Sequence, residues 1–385
     1  MADSDDVRAI LDRLPPELLA EVHSRLPFLK RLAFAMAYAA PGRLMRPEAP
    51  WLVLPGEGEE RATLFSLADG VAATVRASDP AMRGHVVLGS QGGWLVTADE
   101  HGALRMANPA TGAQADLPAI AAIPLFLRTG FYFTLDARAF MRGSFYRKVV
   151  LSASPRPGSY AAMLILPLPF GVPAFVTTED PAWRLAPSYH GVEDAIHHDG
   201  RFYSISYSGD IEAWDRNAET GEFTSAVVGP RLPIKNDDDS RQHRKYIAVG
   251  RDGRLMAIVK CSRELHSDYG YRYGSRKVTL VSFTVQVLDQ ARGRWEAADM
   301  GDTALFVGVN GSICVSTREH PRIRAGCVYF TQDELRQEQR TRYGDDDVRC
   351  PGVYSLSEDT VERIEGLGIG QPCWPPAAWF TPSFT

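Results

Sequence analysis

Cysteine is sparse in this chain and patternless: five residues among 385, at Cys261, Cys314, Cys327, Cys350 and Cys373, with no CxxC pair. That spacing excludes a disulfide-stapled scaffold and a zinc knuckle. It predicts buried or indifferent thiols in a reducing compartment, cytoplasmic and/or nuclear. Basic charge is also in deficit, with 42 Lys and Arg against 47 Asp and Glu and a formal net charge of −5. No broad electrostatic footprint for nucleic acid or for an anionic membrane surface is therefore expected. Long apolar runs are missing as well. The longest, Ala161 to Val176, is interrupted by Pro167, Pro169 and Pro173, and is too short and broken to span a bilayer. The opening MADSDDVRAILDRL has no basic stretch followed by an apolar one, so no secretory signal is expected. The sequon Asn310-Gly311-Ser312 is then expected to stay unmodified.

What the chain does have is a globular composition, 45% hydrophobic and 23% charged, with 33 Gly and 26 Pro. Gly plus Pro is about 15% of the chain against about 12% on average, a mild excess that suits a fold with many turns.

The first 48 residues read differently from the rest. In LPPELLAEVHSRLP, the residues Leu18, Leu19, Val22 and Leu26 form one stripe at helical spacing. Pro15 and Pro16 sit where a first helical turn tolerates proline, and Pro27 stops the helix. A second stretch, Phe28 to Ala40, carries Leu29, Leu32, Ala33 and Met36 on one side and ends at Pro41-Gly42. Two short helices bury little surface alone, so they must pack on something else.

From Trp51 onward the pattern is short strands: VVLG, WLVTA, ALRMA, KVVLSA, FYSIS, IEAW, YIAVG, LMAIV, FTVQVL, CVYF and GVYSL. They are rich in β-branched and aromatic residues and punctuated by Gly, Asp, Asn and Pro. No helix of ten or more residues interrupts them, apart from a candidate at Asp333 to Arg342. A doubly wound α/β sheet, which needs alternating helices, is excluded.

The segments also repeat. Similar units begin at Gly93, Gly200, Gly253 and Gly326. Each reads Gly, apolar strand, polar turn and a second strand ending in Asn or Asp (Asn108, Asp215, Asp289), then a turn glycine (Gly112, Gly221, Gly293). The Asn or Asp side chain is expected to accept backbone N–H bonds in the turn, and the glycine to supply positive φ. The period, about 50 residues, is that of a four-stranded propeller blade of the kelch type. An open β-sandwich array seldom repeats at that period. The expected fold is all-β: a six-bladed β-propeller over residues 49–385, preceded by a small α-helical module over 1–48. Blades are placed near 51–78, 84–120, 146–188, 192–230, 244–300 and 302–366. The last strand, around Trp379-Phe380-Thr381, is expected to pair with the blade containing Leu64-Phe65-Ser66-Leu67, so that the closed ring has no open edge.

No catalytic constellation stands out. There is no GxxxxGK[ST] loop and no GxSxG elbow. GLGIGQ, at 366–371, leads into CWPPAAWF rather than a helix and reads as a turn. His197-His198-Asp199 reads as a turn before the FYSIS strand, because adjacent strand residues face opposite ways and cannot easily share a metal. Asp237-Asp238-Asp239 and Asp345-Asp346-Asp347 lack the spacing and glycine of a calcium loop. The chain is therefore expected to be non-enzymatic, with no cofactor and no metal. A propeller hydrolase with carboxylates converging across blades is the least favoured reading. Two insertions, Ser262 to Lys277 and Gln332 to Arg349, read either as plain excursions between strands or as part of a target-binding face. In the first, Tyr269, Tyr271, Arg272 and Tyr273 are of types enriched in binding hot spots.

Leu14-Pro15-x-Glu17-Leu18-Leu19 with Leu26-Pro27 resembles the start of an F-box. GWLVTAD with NPATGAQADLP, KVVLSASP, FYSIS, IEAWD, GCVYFTQDE and PAAWFTPS, in that order, resemble the propeller of the plant F-box proteins called KIB-type. The resemblance covers nearly the whole chain. It implies a substrate-recruiting adaptor of an SCF-type, cullin-based ubiquitin ligase, whose helices dock a Skp1-like subunit and whose propeller holds an unidentified protein target. Carried over, the docking face is Leu14, Pro15, Leu18, Leu19, Val22, Leu26 and Pro27. F-boxes usually continue with a Cys and a Trp-Arg pair in a third helix; here the region reads AFAMAYAAPGRLMRPEAPW and has neither. The alternative is a stand-alone propeller scaffold whose helices only cap the ring.

Overall fold

The computed structural model describes residues 11, 13–27, 29–31, 33–34, 48–55, 61–76, 86–99, 102–109, 113–119, 148–152, 155–166, 171–234, 241–267, 276–331, 351–367 and 376–382. One ten-residue helix, α1 (Pro16–Arg25), precedes the strands. Its Pro16 lies in the first turn, and Leu26, in an extended conformation, ends it ahead of Pro27.

The strands form six sheets. The first contains β1 (Trp51–Pro55), β2 (Arg61–Ser66) and β3 (Val71–Arg76). The second is β4 (Val86–Gln91), β5 (Trp94–Ala98), β6 (Leu104–Ala107) and β7 (Gln114–Leu117). The third is β8 (Lys148–Leu151), β9 (Ala161–Ile165), β10 (Pro173–Thr177) and β11 (Arg184–Leu185). The fourth is β12 (Val192–His198), β13 (Arg201–Ser206), β14 (Ile211–Arg216) and β15 (Phe223–Val227). The fifth is β16 (Arg241–Val249), β17 (Leu255–Ser267), β18 (Arg276–Asp289) and β19 (Arg294–Ala297), and it begins three residues before its expected span. The sixth holds β20 (Thr303–Val307), β21 (Ser312–Ser316), β22 (Cys327–Phe330), β23 (Gly352–Ser355) and β24 (Thr360–Arg363). Finally β25 (Ala378–Phe380) pairs antiparallel with β1, Trp51 opposite Phe380 and Val53 opposite Ala378. The result is a six-bladed β-propeller whose first blade takes its inner strand from the far end of the chain.

The core explains the ring. Each apolar cluster lies between two neighbouring blades, because a blade's strands are buried on both faces. Within β17, Met256 and Ile258 pack with Val307 and Val328 of the sixth blade. Leu255, Ala257 and Val259 pack instead with Ile205 and Ile211 of the fourth. Period-2 alternation here means one neighbour or the other rather than core or solvent, so runs such as WLVTA and KVVL are buried throughout. Between blades three and four the filling is aromatic. Phe175 stacks on Phe223 at 4.1 Å and meets Trp214 at 5.2 Å and Phe202 at 5.6 Å.

The repeat glycines supply the turns. Gly93, Gly200 and Gly253 all have positive φ and lead into the second strands of their blades. Asp199-Gly200, with φ of 46° and 78°, joins His198 to Arg201 as a two-residue hairpin, the left-handed pair that a type I′ turn requires. His197 and His198 are therefore strand residues, and the turn begins two positions later than expected. Asp289 accepts the Arg292 N–H at 3.1 Å, the expected turn role. Asp215 does not: its carboxylate pairs with Arg201 at 2.9 Å, and Asn217 accepts the turn N–H bonds of Glu219 and Thr220.

The sixth blade departs from the repeat. Its order is β21-β20-β22-β23-β24, with β20 and β22 parallel. β21 folds back along the other side of β20, at the edge beside β16. The intervening turn bonds across the ring: Asn310 C=O accepts the Ser90 N–H of the second blade at 3.2 Å.

Candidate interaction surface

Among the described residues, Arg31 bonds the helical module to the first blade. Arg31, only 8% exposed, donates to Glu48 Oε1 (2.8 Å) and Oε2 (3.2 Å), just before β1. The same guanidinium donates to Asp69 Oδ1 (2.9 Å) and Oδ2 (2.5 Å), in the turn after β2. A further bond to the Leu26 carbonyl, 3.2 Å, ties it to the end of the helix. Burial pushes the Asp69 carboxyl up, but the Arg31 and Ser66 bonds outweigh it and hold the group below its ordinary value. His23 is buried on the same side, with Nε2 3.8 Å from Glu48. Burial pushes its pKa down, against the pull of Glu48.

The residues expected to dock a Skp1-like partner divide between two faces. Leu18 is 51% exposed, and Pro15 and Pro27 are also exposed. Leu14, Val22 and Leu26 are half-buried, and Leu19 is only 1% exposed. Leu19 is therefore not offered to a partner in this arrangement, while Leu18, one residue earlier, is. Of the second stretch, Leu29 is 39% exposed and Ala33 is exposed, and the inward residue is Arg31. Leu32 and Met36 lie outside the described residues. Sequence reasoning missed Arg31. Lys30-Arg31 is a pair of cations between Leu29 and Leu32, nothing in it singles out Arg31, and the carboxylate partners of Arg31 stand 17 and 38 positions away.

Tyr269, Tyr271, Arg272 and Tyr273 lie outside the described residues; the strands β17 and β18 that flank them in sequence pair as far as Ser267 and Arg276. Residues 332–350 and both acidic triplets lie outside them too. A cleft of about 670 Å³ opens between blades one and six, lined by Asp69, Arg322, Arg324, Glu362, Arg363 and Glu365 among others.

At the hub, carboxylates are committed to neighbours. Asp194 accepts from Lys148 Nζ (2.7 Å), the Ile247 N–H (2.9 Å) and Ser312 Oγ (3.1 Å), linking four blades. Glu193, at the β12 bulge, pairs with Lys245 Nζ at 2.7 Å. Away from the hub, on the third strand of the fourth blade, Glu212 takes hydroxyl donors from Ser188, Ser204 and Ser225; burial raises its pKa and those donors oppose the rise. Among the described residues, no group of three or more His, Cys, Asp or Glu is placed to hold a metal ion. No described helix is long and apolar enough to cross a membrane.

Residues 64–355 match the KIB1-4 beta-propeller family, most of the ring just described. The chain belongs to that family. Among relatives, "Putative F-box protein At4g17565" of Arabidopsis thaliana is 22% identical, spanning 97% of this chain and 94% of the relative. "F-box/kelch-repeat protein At1g64840", also of Arabidopsis thaliana, is 26% identical over 35% of this chain and 32% of its own length. A functionally unknown protein from Desulfotomaculum acetoxidans is similar at a TM-score of 0.39 and 9% identity, over 87% of this chain and 100% of that one. The resemblance read from the motifs and the family match therefore agree on a KIB-type propeller, and both Arabidopsis relatives are named F-box proteins. The family match begins at Leu64, downstream of the helices and of β1.

Proposed function

We propose that this KIB-type propeller protein is a non-enzymatic, substrate-recruiting adaptor of an SCF-type ubiquitin ligase. The helical module docks a Skp1-like subunit, and the propeller holds a protein target in the cytoplasm and/or nucleus. The observation that carries the reading is the exposed apolar edge of the first helix, Pro15 and Leu18, on a chain whose relatives are named F-box proteins. An exposed leucine beside a helix-leading proline suits an apolar groove on a partner. The ion-paired hub carboxylates support a role without chemistry, since Asp194 and Glu193 already have basic partners.

The test is co-elution with a purified Skp1-like protein on a sizing column. Leu18→Asp is expected to abolish co-elution without changing the thermal midpoint, a loss above about 1 kcal/mol of binding if Leu18 is an anchor. A scaffold whose helices merely cap the ring is the second reading, favoured by the inward-facing Leu19. It wins if the wild-type chain does not co-elute.

A further inference from the structure

The first helix is too short to stand alone. α1 has ten residues and no side-chain cap at its N-terminus, below the roughly 12–15 residues at which isolated helices become even marginal. Beside the buried Leu19 and His23, a guanidinium with five bonds ties it to the ring, buried among two carboxylates and a backbone carbonyl. Arg31 is the residue type for this, since its planar fork meets two carboxylates edge-on and keeps its charge at any working pH.

The clamp sits at a particular place. Asp69 and Ser66 belong to the first blade, the one completed by β25. Arg322, from the segment between β21 and β22, donates to the Asp69 carbonyl at 2.5 Å. The sixth blade is thereby tied to the same turn. Helices, first blade and sixth blade converge at the ring's joint. We propose that Arg31 locks the N-terminal helices to this closing seam as one rigid body, so that a partner docked on Pro15 and Leu18 is held in a fixed orientation to whatever the propeller carries. Arg31 is a positioning residue here and touches neither partner. Its use in recruitment rests on the adaptor reading; the clamp rests on geometry alone.

Hydrogen–deuterium exchange on the full chain tests the clamp. In the wild type, α1 amides are expected to exchange as slowly as those of β1 and β2. Arg31→Met is expected to speed exchange in α1 at least tenfold and leave β12–β14 unchanged. Arg31→Lys, which keeps the charge but loses the fork, should fall between. Asp69→Asn should follow the same pattern as Arg31→Met, more weakly, and serves if Arg31→Met does not fold. Fast exchange of α1 in the wild type, or slow exchange that survives both Arg31→Met and Asp69→Asn, overturns the proposal. Co-elution with the Skp1-like protein is scored separately. Protected helices in a chain that binds no such protein would sink the adaptor reading and leave the clamp standing.

Discussion

Asn310 does the work of a strand with one side chain. Its Nδ2 donates to the Trp379 carbonyl at 2.5 Å, and its Oδ1 accepts the Trp379 N–H at 3.1 Å. The carboxamide thus caps the inner edge of the closing strand as a neighbouring peptide would, and at 1% exposure it has no room for a glycan. Asn310→Ala leaves a buried N–H and C=O without partners. The expected loss is about 1–3 kcal/mol per orphaned group, read as a lower urea midpoint with unchanged slope. Asn310→Asp sets a buried carboxylate oxygen against the Trp379 carbonyl and should cost at least as much. Histidines set a pH dependence at the same scale. Burial lowers the pKa of His23, His197 and His320 below the usual 6.5, with Glu48 opposing at His23, and Glu319 and Glu48 opposing at His320. A base whose folded pKa is depressed takes up its proton more readily when unfolded. Stability is then unaffected well above pH 6.5 and falls as pH drops through it. Thermal midpoints measured from pH 7.5 to 5 should decline. They should decline less in a His197→Phe variant, whose ring still packs on Phe202, now 4.9 Å from His197. A flat profile in the wild type would refute this.

Elements were legible wherever the rule that makes them is local. The turn glycines 221 and 293, like the unit-starting glycines 93 and 200, lie where a tight turn between strands needs left-handed backbone, and φ is positive at all four. Gly200 tests the point cleanly, because a Cβ there meets nothing within 4 Å. Gly200→Ala should cost about 1 kcal/mol from backbone conformation alone. Asp199→Gly, at the other left-handed position, should cost little or raise the midpoint. Equal losses from the two variants would contradict this account. Of the non-local contacts, ring closure by the last strand was legible because a closed ring demands it, and β25 does pair with β1; the others left no trace in the sequence. CVYF reads as a strand whichever neighbour it takes, so the parallel β20–β22 pair was hidden. Leu18 and Leu19 are equally apolar, and spacing alone does not say which one is buried. The clamp joins Arg31 to a turn 38 residues on, and no periodicity reports such a contact.

At the scale of the whole molecule, each blade has two neighbours and no blade terminates the stack, so the ring depends on its joint. β25 carries Trp379, fully buried, edge-on to Phe306 at 5.0 Å, with its Nε1–H donating to the Val307 carbonyl at 3.0 Å. Beside it Phe380 meets Trp51 at 6.1 Å. Trp379 therefore belongs to the cluster between blades six and one, and Phe380 to the cluster between blades one and two. Removing one such aromatic typically costs about 3–5 kcal/mol, and whole domains are stable by only about 5–15 kcal/mol. A chain ending at residue 376 loses both aromatics together with the ladder that covers Trp51–Val53. The bared β1 is a free edge, the template for association between chains. Such a truncated chain should elute as an aggregate and unfold without a sharp urea transition. A synthetic peptide of residues 376–385 should restore the monomer, because an added strand supplies the missing hydrogen bonds and the two rings in one step. A monomeric truncated chain with the wild-type urea midpoint would mean that the joint does not hold the ring.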